Sequence, residues 1–116
     1  MKILLLESNR KRRELLTEEL EGKKIQVVSC VTTNDFLVAV SETRFDKIIM
    51  NADFWEKGKS IYCYFGTGKK LHDTPMLVYG AEEKFSAVCE RIRHDKDEIL
   101  TGTADVNTIV DTVLHD

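Results

Sequence analysis

One stretch of the sequence, residues 45–53, most constrains what this chain can fold into. Asp46 and Lys47 are followed by three apolar residues, and the chain turns polar again at Asn51. A short apolar run of this kind is typical of a strand buried on both faces of a parallel sheet. In open α/β sheets the functional side chains follow the carboxyl ends of such strands, so Asn51 is a candidate site residue.

Similar apolar runs recur along the chain and alternate with helical patterns. We expect further strands at residues 3–6, 25–30, 76–79 and 98–100. Five helices are expected. The first is capped by Ser8 or Asn9 and runs to about Glu21, with Gly22 as its stop, and the second is opened by the cap residues 32–35 and ends near Arg44. The third contains residues 61–65, the fourth starts at residues 80–83, and the fifth begins near Ala104. This alternation predicts a parallel sheet covered by helices on both faces.

The apolar spacing predicts which helical side chains face the core. In the first helix Leu16 and Leu20 form an i, i+4 seam, which we expect Leu15 and the stem of Arg12 to join. The second helix is expected to bury Phe36, Leu37 and Val40, and the last Val106, Ile109, Val110, Val113 and Leu114.

Length and composition predict one domain, residues 1–116, of an ordinary soluble globular protein. Hydrophobic residues make up 42% and charged residues 32% of the chain, and the net charge of -3 gives no support to a nucleic-acid partner. No apolar run reaches the ~20 residues that a membrane span needs. The three cysteines are scattered and residues 1–6 are too short for a signal peptide, so we expect reduced thiols and a cytoplasmic location.

The first helix carries its charges against its own dipole. Basic residues 10–13 crowd the end where the dipole is positive, and Glu18, Glu19 and Glu21 lie near the negative end. Two interpretations remain open. The basic residues form a rim that meets an anionic partner, or they pair locally with Glu14 or Glu18 on a solvated face.

Three segments, residues 2–8, 45–51 and 74–81, resemble the receiver domains of two-component response regulators. The similarity extends over the whole chain in length and order of elements. It implies the flavodoxin-like, doubly wound α/β fold: five parallel strands in the order 2-1-3-4-5 with five helices, and the site at the carboxyl edge of the sheet.

The polar residues at the strand ends depart from the family pattern. The resemblance implies an acidic pair that helps to bind Mg²⁺, a phosphorylated Asp, a Ser or Thr that contacts the phosphoryl group, and a Lys followed by Pro. At the corresponding positions this chain has Glu7 and Ser8, Asn51, Gly80, and Thr101 and Gly102. Only Glu7 keeps the family's chemistry, because a neutral amide cannot form an acyl phosphate.

These departures predict a pseudo-receiver that is not an enzyme and needs no metal or cofactor. It is expected to signal by protein–protein contact without phosphorylation. The alternative is a receiver-like regulator that a ligand or a covalent event at the altered site still switches. Nucleotide hydrolysis is disfavoured, since Asp53 replaces the first glycine of a P-loop-like segment at residues 53–60. The histidines have no metal-ligand spacing.

Two surfaces are candidates for protein contact. Phe54 and Trp55 follow the altered site, either as an exposed docking anchor or as a lid over the site. The resemblance also implies contact, with a partner protein or a second copy, through the face formed by the fourth helix, fifth strand and fifth helix. Its candidate positions are Lys84, Glu90, Arg91, Glu98 and Asn107.

Overall fold

The computed structural model describes residues 1–51, 74–81, 98–101 and 105–114. Five parallel strands form one sheet: β1 (Lys2–Leu6), β2 (Gln26–Cys30), β3 (Lys47–Asn51), β4 (Met76–Ala81) and β5 (Glu98–Thr101). Their order is β2-β1-β3-β4-β5, which confirms the order that the resemblance implied. β1 and β3 therefore lie in the middle of the sheet, and their apolar runs are buried.

The described residues form three helices: α1 (Arg10–Gly22), α2 (Thr33–Glu42) and α3 (Val106–Leu114). α3 is the helix predicted to begin near Ala104. The predicted helix containing residues 61–65 lies outside the described residues, as does the predicted fourth helix beyond residue 81. α2 ends at Glu42, two residues before the expected end, where the backbone of Thr43 is extended.

The side chains of each strand alternate between two apolar cores, one on each face of the sheet. On one face Leu4, Ile48 and Val78 pack with Phe36 of α2. On the other face the main members are Ile3, Leu5, Ile49 and Leu77 from the sheet, Leu16 and Leu20 from α1, and Ile109 and Val113 from α3. The predicted helix-covered, two-faced sheet is confirmed by these two cores.

The predicted burial of two leucines is wrong. Leu15 is 42% exposed and Leu114 is 40% exposed. Leu15 lies next to the buried Leu16, and one residue turns a helix by about 100°, so the two leucines point in different directions. Leu114 is the last residue of α3, where the helix ends.

The amino ends of β1 and β3 are tied together by Asp46. Its carboxylate accepts a hydrogen bond from the backbone amide of Lys2 at 2.7 Å, and its own amide donates to the carbonyl of Lys2 at 2.8 Å. This pair of hydrogen bonds fixes how β1 and β3 begin relative to one another. It therefore fixes where their carboxyl ends, Leu6 and Asn51, come together.

The end of α1 differs from the expected glycine stop. Gly22 is the last residue of the helix, and the left-handed backbone falls at Lys24, with a φ of 65°. The amide of Ile25 donates to the carbonyl of Leu20 at 3.1 Å, which is the long hydrogen bond of a Schellman ending. Lys24 thus occupies the position where glycine is usually found.

We predict that Lys24→Gly stabilises the protein by roughly 0.5–1 kcal/mol. A side chain in the left-handed region destabilises the fold by about 1–2 kcal/mol, and the change to glycine removes this cost. Glycine loses more conformational entropy on folding, which offsets part of the gain. Urea unfolding measures the change. The matched control is Lys23→Gly, at a φ of -94°, which should destabilise; equal effects of the two changes would contradict the explanation.

Candidate functional site

The carboxyl edge of the sheet brings together three of the predicted site residues. Glu7 follows β1, Asn51 ends β3, and Gly80 lies in β4. The Nδ2 atom of Asn51 donates to Oε1 of Glu7 at 3.1 Å. A Cβ added at Gly80 would come 3.8 Å from Oδ1 of Asn51, which places Gly80 directly beside that amide.

The other two predicted site residues are placed less closely. Ser8 is exposed and adjoins Glu7, and Thr101 is the last residue of β5, in register with Ala81. Gly80 and Ala81 belong to β4, so the prediction that residues 80 and 81 start a helix is wrong. Gly80 has a φ of 77°, and the β4–β5 register shifts between Tyr79 and Ala81. Glycine tolerates this backbone irregularity.

The Glu7 carboxylate is 1% exposed and accepts four hydrogen bonds. Oε1 accepts from the hydroxyl of Tyr79 at 2.7 Å, from Asn51 at 3.1 Å and from Nη1 of Arg12 at 3.2 Å. Oε2 accepts from the backbone amide of Asn9 at 3.0 Å. We call Glu7, Arg12, Asn51 and Tyr79 the Glu7 cluster. It holds a buried negative charge together with a cationic side chain.

Local structure at the start of α1 brings Arg12 to this cluster. Asn9 is the N-cap, and its side chain accepts from the backbone amide of Arg12 at 3.0 Å. This cap sets the first helical turn directly after Glu7, so Arg12 reaches back over the end of β1. Arg13 donates to the carbonyl oxygens of Glu7 at 3.1 Å and Ser8 at 3.4 Å.

These contacts account for most of the basic charge at the start of α1. Arg10 pairs with Glu14 at 2.9 Å, as the local-pairing interpretation predicted. Arg12 and Arg13 bind the segment between β1 and α1 instead of Glu14 or Glu18. Lys11 is exposed, and it makes no hydrogen bond or ion pair with the described residues.

Glu7 is held in its charged form. Burial by itself raises the pKa of this carboxyl, but the hydrogen bonds from the Asn9 amide, Asn51, Tyr79 and Arg12 oppose it, and the pKa is lowered overall. A carboxylate with this environment is stabilised as an anion.

Sequence reasoning missed Tyr79 and the role of Arg12. A signal for Tyr79 was present, since a tyrosine within a buried strand needs a partner for its hydroxyl. Tyr79 stands in register with Asn51 on the adjacent strand, which places it at the same edge. Arg12 lies five residues after Glu7, and only the geometry of the cap shows that the two meet.

The described residues do not fit the Mg²⁺ ion that the resemblance implies. Magnesium needs several oxygen ligands in an octahedral shell, usually including carboxylates. Both Glu7 oxygens already accept hydrogen bonds, and the Arg12 guanidinium lies against one of them. Across residues 1–51, 74–81, 98–101 and 105–114 no group of three or more His, Cys, Asp or Glu side chains could hold a metal ion.

Two of the predicted contact residues fall within the described structure. Glu98 is the exposed first residue of β5, an edge strand, and Asn107 is exposed on α3. Phe54, Trp55, Lys84, Glu90 and Arg91 lie outside the described residues. None of the helices that the structure describes is long and apolar enough to cross a membrane.

Comparison with known proteins shows the class of fold. No protein-family model and no curated protein sequence matches the chain. Among solved structures, the receiver domain of the Francisella response regulator 1452 is similar, with a TM-score of 0.78 and 16% identity; the match covers 98% of this chain and 93% of that one.

Two further solved structures show the same likeness. The chemotaxis response regulator CheY4 of Vibrio cholerae has a TM-score of 0.79 at 17% identity, with 98% of this chain and 96% of that chain covered. A signal receiver domain from Bermanella marisrubri has a TM-score of 0.78 at 13% identity, with 98% and 95% covered. This chain therefore has the fold of response-regulator receiver domains.

We predict that Tyr79→Phe destabilises the protein by roughly 1.5–3 kcal/mol, the usual range for a hydrogen bond to a charged group. The loss should shrink when the same change is made in a Glu7→Gln background, because the acceptor is then neutral. Urea unfolding of the four proteins in this double-mutant cycle measures the coupling. An equal loss in both backgrounds would show that the hydroxyl does not act through the Glu7 charge.

We also predict acid sensitivity that depends on Glu7. The pKa of Glu7 is lowered on folding from its usual value of 4.5, so its contribution to stability is present above about that pH and is lost as the pH falls through the folded value. Unfolding measured from neutral to acidic pH should show wild type losing its advantage over Glu7→Gln. A difference that stays constant across this range would contradict the prediction.

Proposed function

We propose that this chain is a pseudo-receiver: a non-enzymatic signalling module that works by protein–protein contact without phosphorylation. The observation that carries the proposal is the Glu7 cluster. Three side chains donate to Oε1 of the one acidic residue retained at the site, and the backbone amide of Asn9 donates to Oε2. The receiver fold supports a signalling role.

The first step of the argument concerns the nucleophile. Phosphoryl transfer to a receiver requires an ionised carboxylate at the end of the third strand. The amide of Asn51 is neutral there, and its Nδ2 atom donates to Glu7. It thus serves as a hydrogen-bond donor to an anion, which an aspartate could not do.

The second step concerns the positive charge. A divalent cation would balance the charge of an acidic site and of the phosphoryl group it receives. Here Arg12 supplies one positive charge to Glu7 from within the chain, at 3.2 Å. A metal ion would have to compete with the guanidinium and the Tyr79 hydroxyl at Oε1, and with the Asn9 amide at Oε2.

The third step concerns the missing hydroxyl group. A Ser or Thr in place of Gly80 would need a left-handed backbone, which is unfavourable for any residue with a Cβ and most of all for the β-branched Thr. The position that would hold this hydroxyl is therefore shaped for glycine. The contacts of the Glu7 cluster also weigh against the alternative function, a ligand or covalent switch at this edge. A bound or attached group would have to break some of these contacts.

The partner is proposed to be a protein that docks on the outer surface of the fold. The face that includes β5 and α3 presents Glu98 and Asn107 to solvent, and we propose it as one such surface. Phe54, Trp55, Lys84, Glu90 and Arg91 remain predicted contact residues.

The test is incubation with a small-molecule phosphodonor and Mg²⁺, followed by detection of a hydroxylamine-sensitive label. We expect no label on the wild-type chain. Asn51→Asp should also stay near background, since it sets a second carboxylate against Glu7 and leaves Arg12 in place. Gly80 and Thr101 also lack the hydroxyl and the lysine that the family uses as hydrogen-bond donors. At roughly 1.5–3 kcal/mol each, the loss of these two donors should slow the reaction by on the order of 10²–10⁴.

The matched comparison is a triple variant, Ser8→Asp, Arg12→Ala and Asn51→Asp, which restores an acidic pair and removes the internal cation. Mg²⁺ binding by this variant, followed by calorimetry, should exceed that of Asn51→Asp alone if circular dichroism shows that both fold. Labelling of the wild-type chain near Asn51 would overturn the proposal.

A further inference from the structure

The outer face of α1 carries two charged side chains that pair with none of the described residues. Lys11, Leu15 and Glu18 are spaced i, i+4 and i+7, so they share one face of the helix. All three are exposed, while Leu16 and Leu20 are fully buried on the opposite side of the helix. We call Lys11, Leu15 and Glu18 the outer stripe. It is an exposed apolar residue between a basic and an acidic one.

Both charges of the outer stripe oppose the helix dipole. Lys11 lies in the first turn, where the dipole is positive, and Glu18 lies toward the negative end. Neither side chain forms a hydrogen bond or an ion pair with the residues that the structure describes. The contacts of Arg10, Arg12 and Arg13 explain the other basic residues of this turn, but nothing within the described fold offsets these two charges.

An antiparallel copy of the same helix would offset both. Reversing the helix places a basic first turn beside an acidic last turn at each end. Lys11 and Glu18 lie about 6 Å and 4.5 Å from Leu15 along the helix axis, on opposite sides of it, at a rise of ~1.5 Å per residue. A two-fold axis near Leu15 therefore brings Lys11 of each copy beside Glu18 of the other.

We propose that α1 mediates self-association of this chain, with two copies packed antiparallel through the outer stripe. Leu15 meets its own counterpart at the centre, and the two Lys11–Glu18 pairs flank it. Such an isologous contact closes on itself and ends at the dimer. This inference goes beyond the proposed function and does not depend on how the Glu7 cluster treats phosphate.

The length of α1 limits the surface area that the dimer can bury, and therefore its affinity. α1 has 13 residues, or about 20 Å. Two helices of this length bury less than the ~1,200–2,000 Å² of a standard interface. The dimer should therefore form only at high protein concentration, and it should weaken at high salt because its ion pairs are exposed.

Sedimentation velocity of the full chain, from about 1 μM to about 1 mM at low salt, tests the proposal. We expect wild type to dimerise across this range. Lys11→Glu and Glu18→Lys should each weaken the dimer at least about tenfold, because each sets like charges against one another twice. An equimolar mixture of the two variants should dimerise again, since every contact then joins opposite charges.

Two controls separate this surface from others. Leu15→Ser should weaken the dimer without changing the charge, and Glu98→Lys, on the edge strand β5, should leave it unchanged. Circular dichroism checks that each variant folds. A wild-type chain that stays monomeric at the highest concentration, a mixture that fails to dimerise, or a dimer lost in Glu98→Lys but not in Lys11→Glu would each overturn the proposal.

Discussion

The burial of the Glu7 carboxylate is the constraint on which the carboxyl edge of this structure depends. An ionised group taken out of water costs several kcal/mol unless partners replace its hydration. Its partners come from four places in the chain: the segment after β1, the first turn of α1, the end of β3 and the end of β4. One anion thereby fixes three central strands and a helix relative to one another.

The sequence predicted the features that depend on local pattern. The five strands and the cores of α1, α2 and α3 followed from apolar runs and helical spacing, and the resemblance supplied the strand order. The contacts of Glu7 with Asn51 and Tyr79 were beyond this reasoning because they join residues 44 and 72 positions apart. Gly80 was assigned to the start of a helix and lies in β4 instead. Glycine occurs both at helix starts and at irregular strand ends, so its presence does not tell the two apart.

Arg12 supplies the positive charge at this site from within the chain, and this differs from a metal ion that can bind and leave. A switch needs a ligand that binds two conformations with different affinities. A metal ion can dissociate, and a phosphoryl group can be removed, but Arg12 is covalently part of the chain. The Glu7 cluster therefore favours one arrangement of the carboxyl edge, and its Tyr79 hydroxyl is committed to the same anion. This is the physical reason for the proposal that the chain signals through its surface.

The first turn of α1 carries both the arginines that contact Glu7 and one residue of the outer stripe. Arg12 and Arg13 hold the first turn of the helix against the end of β1, and Lys11, on the outer stripe, lies in that same turn. A change that frees Arg12 from Glu7, such as protonation of the carboxylate, loosens the turn that presents Lys11. Ionisation of Glu7 favours an ordered first turn, and the dimer contact proposed for the outer stripe would favour it as well. By linkage, the proposed dimer and the ionised Glu7 would then stabilise each other.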